Sequence, residues 1–385
     1  KENNLYTSLF DFKVIIIKVG KNQEIKTLKE ALKNIIEDGT IILEPGVYKE
    51  HVNFDKKVKI VGLTDSIMNK SSSELPIIVL DPKKSCEISA PVEIEGVVFT
   101  HEENLSFNNL QNYADEEYDI DDQDEWKDYG DDDFASCLLV NSDAKLKNVA
   151  VLDSLTYGIT LAKTKGTIED SIISHCWGSC LYCVEKTEAT VQETKIINSL
   201  HSGVSAIETS NPSLKACEIY GHKSSVILVK DQASGTYTNC HIHDNQSNGL
   251  KIGGSSTPSF EDCKIHDNKK EGQSYPGVVV KESSNPSLKD CEIYGHLSSG
   301  ILVIDQAKGT YTNCHIHSNK AGICVDGSST PSLKDCEIYG NLASGIYVTN
   351  QASGTYKNCY IHNNKGANFS NKTSNTIDTS TCRME

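Results

Sequence analysis

Short runs of alternating apolar and polar residues recur through the C-terminal half of the chain. Each run places an apolar residue, a cysteine and an isoleucine at fixed positions, as in residues 288–293 (LKDCEI). Alternation with a period of two predicts half-buried β-strands. Gly, Asn, Ser and Pro fill the intervals, which predicts tight turns between the strands. The repeats carry no helical periodicity.

These runs return at a nearly constant spacing. The marker cysteines are separated by 23, 23, 28, 23, 22 and 23 residues, and they are Cys217, Cys240, Cys263, Cys291, Cys314, Cys336 and Cys359. A fixed period of this length predicts stacked copies of one small unit. Side chains one period apart would then lie above each other, about 4.8 Å apart. The pattern predicts an all-β parallel solenoid in which the cysteines are free, buried thiols.

The N-terminal region has a different pattern. Residues 27–62 read TLKEALKNIIEDGTIILEPGVYKEHVNFDKKVKIVG, which predicts an amphipathic helix over about 27–37, followed by strands. A helix here would cap the open end of the stack and shield its edge. Together with the cysteine runs, this opening resembles pectin-lyase-like proteins and CASH-type repeats. The resemblance implies a right-handed parallel β-helix, but it does not identify an activity, because the superfamily holds lyases, hydrolases, epimerases and non-catalytic modules.

The domain organisation follows from where the pattern begins and ends. We expect an N-terminal segment over 1–24, a single β-helix domain over 25–370 and a C-terminal tail over 371–385. Residues 102–134 interrupt the pattern with a strongly acidic stretch. This stretch lacks strand alternation and predicts a mobile insertion between turns.

Outward positions of the predicted strands form two rows with binding potential. The first, which we call the ring column, comprises Tyr220, His243, His266, Tyr294, His317, Tyr339 and His362. Rings with polar tips suit a sugar polymer or a protein surface, although stacking alone would also stabilise the sheet. The second, the apolar stripe, comprises Leu228, Val279, Leu302, Ile304 and Tyr347. Contiguous apolar surface favours a protein partner or a homo-oligomer contact, unless the insertion or a tail covers it.

A catalytic alternative rests on Asp262 and Asp290, which fall at equivalent positions of neighbouring turns. Paired carboxylates are a common arrangement for cleaving glycosidic bonds. The longer turn between them adds a loop at 269–276, which we expect beside the acids. The resemblance implies that pectate-lyase-type chemistry would need a basic residue, often arginine, and calcium-binding acids. Arg383 is the only arginine of the chain and lies outside the predicted domain.

Two H-x-H pairs, His241 with His243 and His315 with His317, could contribute metal ligands. No third ligand is evident for either pair, so the sequence assigns no metal and no cofactor.

Charge and composition limit the choice of partner. The net charge of −16 disfavours nucleic acid, and no apolar run is long enough for a membrane span. Reduced thiols favour a cytoplasmic location. We expect a non-catalytic recognition or scaffold module that binds a protein partner or an extended glycan. The alternative is a polysaccharide hydrolase or lyase.

Overall fold

The computed structural model describes residues 15–62, 65–116 and 135–385. Every strand pair within these residues is parallel, and the chain visits three sheets in rotation. The result is a β-solenoid of about fifteen turns, which confirms the fold class predicted from the repeats. Sheets A and B have fourteen strands each, and sheet C has twelve.

The strands are short because each turn contributes only two to five residues to a sheet. Sheet A contains β1 (Ile16–Val19), β2 (Thr40–Leu43), β4 (Lys59–Val61), β7 (Glu93–Glu95), β10 (Lys145–Lys147), β13 (Thr167–Glu169), β16 (Thr190–Gln192), β19 (Ser213–Lys215), β22 (Thr236–Thr238), β25 (Ser259–Glu261), β28 (Ser287–Lys289), β31 (Thr310–Thr312), β34 (Ser332–Lys334) and β37 (Thr355–Lys357).

Sheet B contains β3 (Gly46–Lys49), β5 (Pro76–Val79), β8 (Val98–Thr100), β11 (Ala150–Leu152), β14 (Ile172–Ser174), β17 (Lys195–Ile197), β20 (Glu218–Tyr220), β23 (His241–His243), β26 (Lys264–His266), β29 (Glu292–Tyr294), β32 (His315–His317), β35 (Glu337–Tyr339), β38 (Tyr360–His362) and the two-residue β40 (Arg383–Met384).

Sheet C contains β6 (Cys86–Ile88), β9 (Leu138–Val140), β12 (Ile159–Ala162), β15 (Leu181–Val184), β18 (Val204–Ala206), β21 (Ile227–Val229), β24 (Leu250–Ile252), β27 (Val278–Val280), β30 (Ser299–Val303), β33 (Ala321–Val325), β36 (Ile346–Val348) and β39 (Phe369–Asn371).

Helices are few. Helix α1 (Leu28–Asn34) starts at Thr27, whose hydroxyl accepts a hydrogen bond from the Glu30 backbone at 3.2 Å. It ends before the predicted residue 37 because Ile35 adopts an extended conformation. Leu28 is buried against the first turn of the solenoid, so the predicted cap is present. The part of the chain that the structure describes also contains a 3₁₀ turn (Ser72–Glu74) and helix α2 (Leu110–Asp115). In the described residues, no helix has the length and apolarity needed to traverse a bilayer.

The regular coil extends past both predicted domain boundaries. Strand β1 precedes residue 25 and pairs in register with β2. Strand β40 lies within 371–385 and pairs with β38. The segment before residue 25 lacks the cysteine phrase, and the last segment keeps only its cysteine, Cys382, 23 residues after Cys359.

The interior is one continuous apolar cluster built from stacked columns. One column lies three residues before the cysteines, and strand register brings its members into line: Leu146, Ile168, Val191, Leu214, Tyr237, Phe260, Leu288, Tyr311, Leu333 and Tyr356. Tyr237 and Phe260 stack with ring centroids 4.5 Å apart. All fourteen cysteines are free, and all except Cys324 and Cys382 are buried.

A polar column runs through the corner between sheets B and C. Its members are His222, Asn245, Asn268, His296, Asn319, Asn341 and Asn364, and all but the last are buried. Their side chains bond to the backbone of the neighbouring turns. For example, the Asn319 amide donates to the Ile293 carbonyl at 3.1 Å and accepts from the His296 backbone at 3.1 Å. The column therefore satisfies backbone groups that the corner leaves unpaired.

The described part of the acidic insertion, residues 102–116, contains helix α2 and otherwise has no helix or strand. Phe107, Leu110 and Ala114 are buried in a second apolar cluster on the outer face of sheet B. That cluster also includes Ala150 and Ile172 of β11 and β14. The apolar side chains of the insertion pack on an apolar strip of sheet B, and this burial stabilises the segment on the solenoid. Residues 117–134 lie outside the described residues.

Candidate functional site

The ring column forms a continuous stack on the outer face of sheet B. Each member is the last residue of its strand, and strand register aligns the seven positions. Consecutive rings are stacked with centroids 4.6–5.3 Å apart and interplanar angles of 6–19°. Because the ring faces cover one another, the column offers ring edges and polar tips to the outside.

A second set of contacts fixes the histidine rings of this column. Each Nε2 atom approaches a side chain that lies 25 residues earlier, at the first position of the strand in the preceding turn. His317 contacts Glu292 at 3.2 Å, and His362 contacts Glu337 at 3.0 Å. These carboxylates alternate along the face with ring tips, so hydrogen-bond donors and acceptors are interspersed.

The tyrosines of the column keep their protons at neutral pH. Burial, followed by the Glu292 charge, raises the pKa of Tyr294 above its usual value. The pKa of Tyr339 is raised by burial and by Glu337. Their hydroxyls are therefore available as hydrogen-bond donors.

Helix α2 covers the N-terminal end of the ring column. The Tyr220 hydroxyl donates to Asp115 of α2. Burial and this carboxylate raise the pKa of Tyr220. Because α2 engages Tyr220, the accessible part of the column begins at the next ring, His243.

Beneath α2 lies a half-buried carboxyl, Asp153. The Tyr113 hydroxyl donates to both of its oxygens, at 2.9 and 3.0 Å. Burial raises the pKa of Asp153 to about 7, and the Tyr113 hydrogen bond opposes this rise. Nearby, His175 bonds through Nδ1 to Ser174 and stacks at a tilt on Tyr113. These contacts anchor the described part of the insertion to sheet B.

The apolar stripe lies on the outer face of sheet C and is discontinuous. Lys251 occupies the register position between Leu228 and Val279. Cys324 separates Leu302 from Tyr347 in the same way. The members are half-buried, apart from Val279, which is buried, and Ile304 follows the end of β30. The described part of the insertion packs on sheet B, so it does not cover this stripe.

Asp262 and Asp290 lie at the corner between sheets A and B. Both adopt the left-handed backbone conformation, with φ of 53° and 54°. Equivalent residues of other turns, such as Asn313 and Asn358, do the same, which assigns a turn-forming role to this position. The loop at 269–276 follows β26, whereas Asp262 precedes it. The expectation that the loop lies beside the acids was therefore wrong.

A shallow depression of about 400 Å³ adjoins the two aspartates and is also lined by Lys264, Glu292 and His315. The Asn313 amide donates to Asp290 at 2.6 Å, and Lys289 lies 3.4 Å away. The Asn313 hydrogen bond, with Lys289, lowers the pKa of Asp290. An ionised carboxylate cannot protonate a leaving group, so Asp290 is poorly suited to be a general acid.

One grouping at the accessible end of the ring column was missed by the sequence reasoning. Glu218, His241 and His243 bring one ligand-type atom each within 4.8 Å of one another. His266 joins them, with its Nε2 atom 2.5 Å from that of His241. Burial and the two neighbouring histidines lower the pKa of His241 to about 4, so its imidazole is neutral at pH 7. Sequence reasoning compared only residues one repeat apart, at 22 or 23 positions. Glu218 and His243 are 25 residues apart, and a search at that spacing would have paired them.

Comparisons with known proteins give one family and several solved structures. The family model for a right-handed β-helix region matches residues 136–275 and 273–384. A double mutant of the periplasmic alginate epimerase AlgG is 14% identical, with a TM-score of 0.53 over 95% of this chain and 88% of that chain. The catalytic domain of a GH87 α-1,3-glucanase in complex with nigerose is 12% identical, with a TM-score of 0.50 over 99% and 71%.

Pectate lyase Pel9A is 11% identical, with a TM-score of 0.42 over 96% of this chain and 78% of that chain. Comparison with curated proteins returned no match. The likeness to the AlgG and GH87 structures, at 14% and 12% identity, establishes the shared fold alone.

Proposed function

The chain belongs to the right-handed β-helix family, and from this premise we propose that it is a non-catalytic module that binds an extended, hydroxyl-rich polysaccharide along the ring column. The observation that carries the proposal is the column itself. Its accessible part runs across six turns, from His243 to His362, and its polar groups are the tyrosine hydroxyls and the glutamates beside the histidines. A linear row of this kind suits a linear polymer better than a compact small molecule, which a concave pocket would enclose.

The chemistry of the column favours a neutral glycan over an acidic one. Glu292 and Glu337 lie along the same face and would repel carboxylated sugars, as would the net charge of −16. Hydroxyl groups can pair with both the carboxylates and the tyrosine hydroxyls. The structural neighbours named for alginate and nigerose support a sugar polymer as the ligand class rather than a particular sugar.

Affinity electrophoresis through gels containing soluble glucans, mannans or xylans would test this proposal, with alginate and pectate for comparison. We expect retardation by a neutral polymer. The double variant Tyr294→Phe/Tyr339→Phe keeps the stack but removes two hydroxyls, and it should weaken binding about tenfold. Tyr347→Phe on sheet C is the matched control and should bind normally. Absence of retardation by every polymer, or unchanged binding by the double variant, would refute the proposal.

The shallow depression beside Asp262 and Asp290 supports the enzyme alternative. The lowered pKa of Asp290 argues against it, because an ionised carboxylate is not a general acid. It predicts reducing ends or unsaturated products from polysaccharides, lost in Asp290→Asn. Any such product in the same assays would replace the binding-module proposal.

Two further expectations stay proposals. The apolar stripe is the surface on which we would place a protein partner or a homo-oligomer contact. Fourteen free cysteines support a reducing compartment such as the cytoplasm.

A further inference from the structure

Four side chains from three consecutive turns converge on the outer face of sheet B. Glu218 begins β20, His241 and His243 begin and end β23, and His266 ends β26. The His241 and His243 ring centroids are 4.1 Å apart, and those of His241 and His266 are 4.7 Å apart. The side chains of His243 and His266 are only 14% and 13% exposed. The cluster is thus a compact group of one carboxylate and three imidazoles, in which these two rings are largely desolvated and the Glu218 side chain is 38% exposed.

Neighbouring aspartates fix the orientation of two of these rings. The Nδ1 atom of His243 lies 2.8 Å from Asp244, and that of His266 lies 3.0 Å from Asp267. A carboxylate can only accept, so in the neutral imidazole each Nδ1 carries the proton. Each Nε2 then presents a lone pair to the cluster. Metal-binding histidines are oriented by carboxylates in this way.

The lone pair of His243 has no donor to satisfy it. Its Nε2 atom is buried and makes no hydrogen bond. A Glu218 carboxylate oxygen, which is also an acceptor, lies 3.5 Å from this atom. The second oxygen of Glu218 lies 3.3 Å from Lys195, so the lysine leaves the first oxygen facing the histidines. Two acceptors face each other across a gap that a cation would bridge.

We propose that Glu218, His241, His243 and His266 form a binding site for one divalent transition-metal ion of the zinc class. Three nitrogens and one carboxylate oxygen form a donor set that zinc accepts in tetrahedral geometry. Ligand atoms around such an ion lie about 3.4 Å apart. The three ligand atoms within 4.8 Å would close by small side-chain rotations, while the 2.5 Å contact between His241 and His266 would open.

The second H-x-H pair is an internal comparison that lacks these features. His317 is followed by Ser318, which bonds its Nδ1 at 3.1 Å in place of an aspartate. Its Nε2 already pairs with Glu292. The His315 side chain points to the next coil of the solenoid, where its Nδ1 atom lies 3.1 Å from Glu337. The same sequence pair is therefore committed to other partners, and we expect no metal there.

Isothermal titration of the full chain with zinc chloride, under reducing conditions, tests the site. We expect one ion per chain. His241→Gln should abolish binding, and the matched substitution His315→Gln should leave it unchanged. Asp244→Asn should weaken binding 10- to 100-fold through the orientation of His243. Circular dichroism of each variant establishes that it is folded.

Three results would overturn the site: no zinc binding by the folded wild-type chain, binding that survives His241→Gln, or equal loss in both H-x-H variants. Cobalt substitution tests whether the ion binds to cysteine sulfur instead, because cobalt bound to a thiolate gives a charge-transfer band. Visible bands of tetrahedral cobalt without the sulfur band would support the site. The site does not depend on glycan binding, because these titrations contain no polysaccharide.

Discussion

Asn319→Leu is the substitution that best tests the polar column as a structural element. The Asn319 side chain makes three hydrogen bonds. Its amide donates to the Ile293 carbonyl at 3.1 Å, and its oxygen accepts from the His296 backbone at 3.1 Å and pairs with His296 Nδ1 at 2.9 Å. Leucine has nearly the same shape but makes none of these bonds, and the site is fully buried.

The magnitude follows from what the substitution leaves behind. Each lost hydrogen bond costs about 1 kcal/mol, and each buried group that stays unpaired can cost about 1–3 kcal/mol. Burial of the leucine side chain offsets part of this sum. We expect Asn319→Leu to lower the free energy of unfolding by about 3–5 kcal/mol. Asn364→Leu, at the half-buried end of the same column, should cost about 1–2 kcal/mol, because water can reach its partners.

Urea unfolding followed by circular dichroism would measure the global effect. Native-state hydrogen exchange is needed as well, because a solenoid can open in sections. Exchange should accelerate most at the His296 amide, which donates directly to Asn319. Equal costs for the two substitutions, or a cost below about 1 kcal/mol for Asn319→Leu, would refute the reasoning.

Two further predictions concern pH. Burial lowers the pKa of His222 and His296 to about 4, against about 6.5 in the unfolded chain. Between pH 4 and pH 6.5 the unfolded state therefore binds more protons than the folded state. The free energy of unfolding should be highest above pH 6.5 and fall by up to about 3 kcal/mol per histidine towards pH 4. Equal urea midpoints at pH 7.5 and pH 5 would contradict this. Asp153 acts in the opposite sense: burial raises its pKa to about 7, so its ionisation destabilises the fold as pH rises. Asp153→Asn should raise the urea midpoint at pH 8 but not at pH 4, and the absence of any gain at pH 8 would contradict the assignment.

The columns could be predicted from the sequence because they depend on a single number, the repeat length. Once residues 22 or 23 positions apart are placed in register, the ring column and the buried row from Leu146 to Tyr356 follow directly. The same principle placed Asp262 and Asp290 at equivalent positions of neighbouring turns. The order of residues within one turn could also have placed the loop at 269–276 correctly, because the loop follows β26 and Asp262 precedes that strand.

Contacts that cross the register were not predictable in the same way. His243 and Glu218 meet across a diagonal of the sheet, so their pairing depends on the direction of both side chains. That direction is known only once the backbone and the side chains are placed in three dimensions. The docking of α2 depends on an apolar strip on the outside of sheet B, which strand alternation assigned to solvent. Tertiary packing decided both features, although the 25-residue offset between Glu218 and His243 recurs between Glu292 and His317 and between Glu337 and His362.

The order of the rings has a consequence for how such a chain can change its length. Turns ending in tyrosine and turns ending in histidine alternate from Tyr294 to His362, and each histidine in that run leans on a glutamate supplied by the tyrosine-type turn before it. A tandem duplication within the gene would preserve these partnerships only if it copied an even number of turns. Copying one histidine-type turn alone would set imidazole against imidazole, which is the arrangement at His243 and His266. A new ligand cluster could thus arise from one uneven step in the growth of an otherwise alternating array.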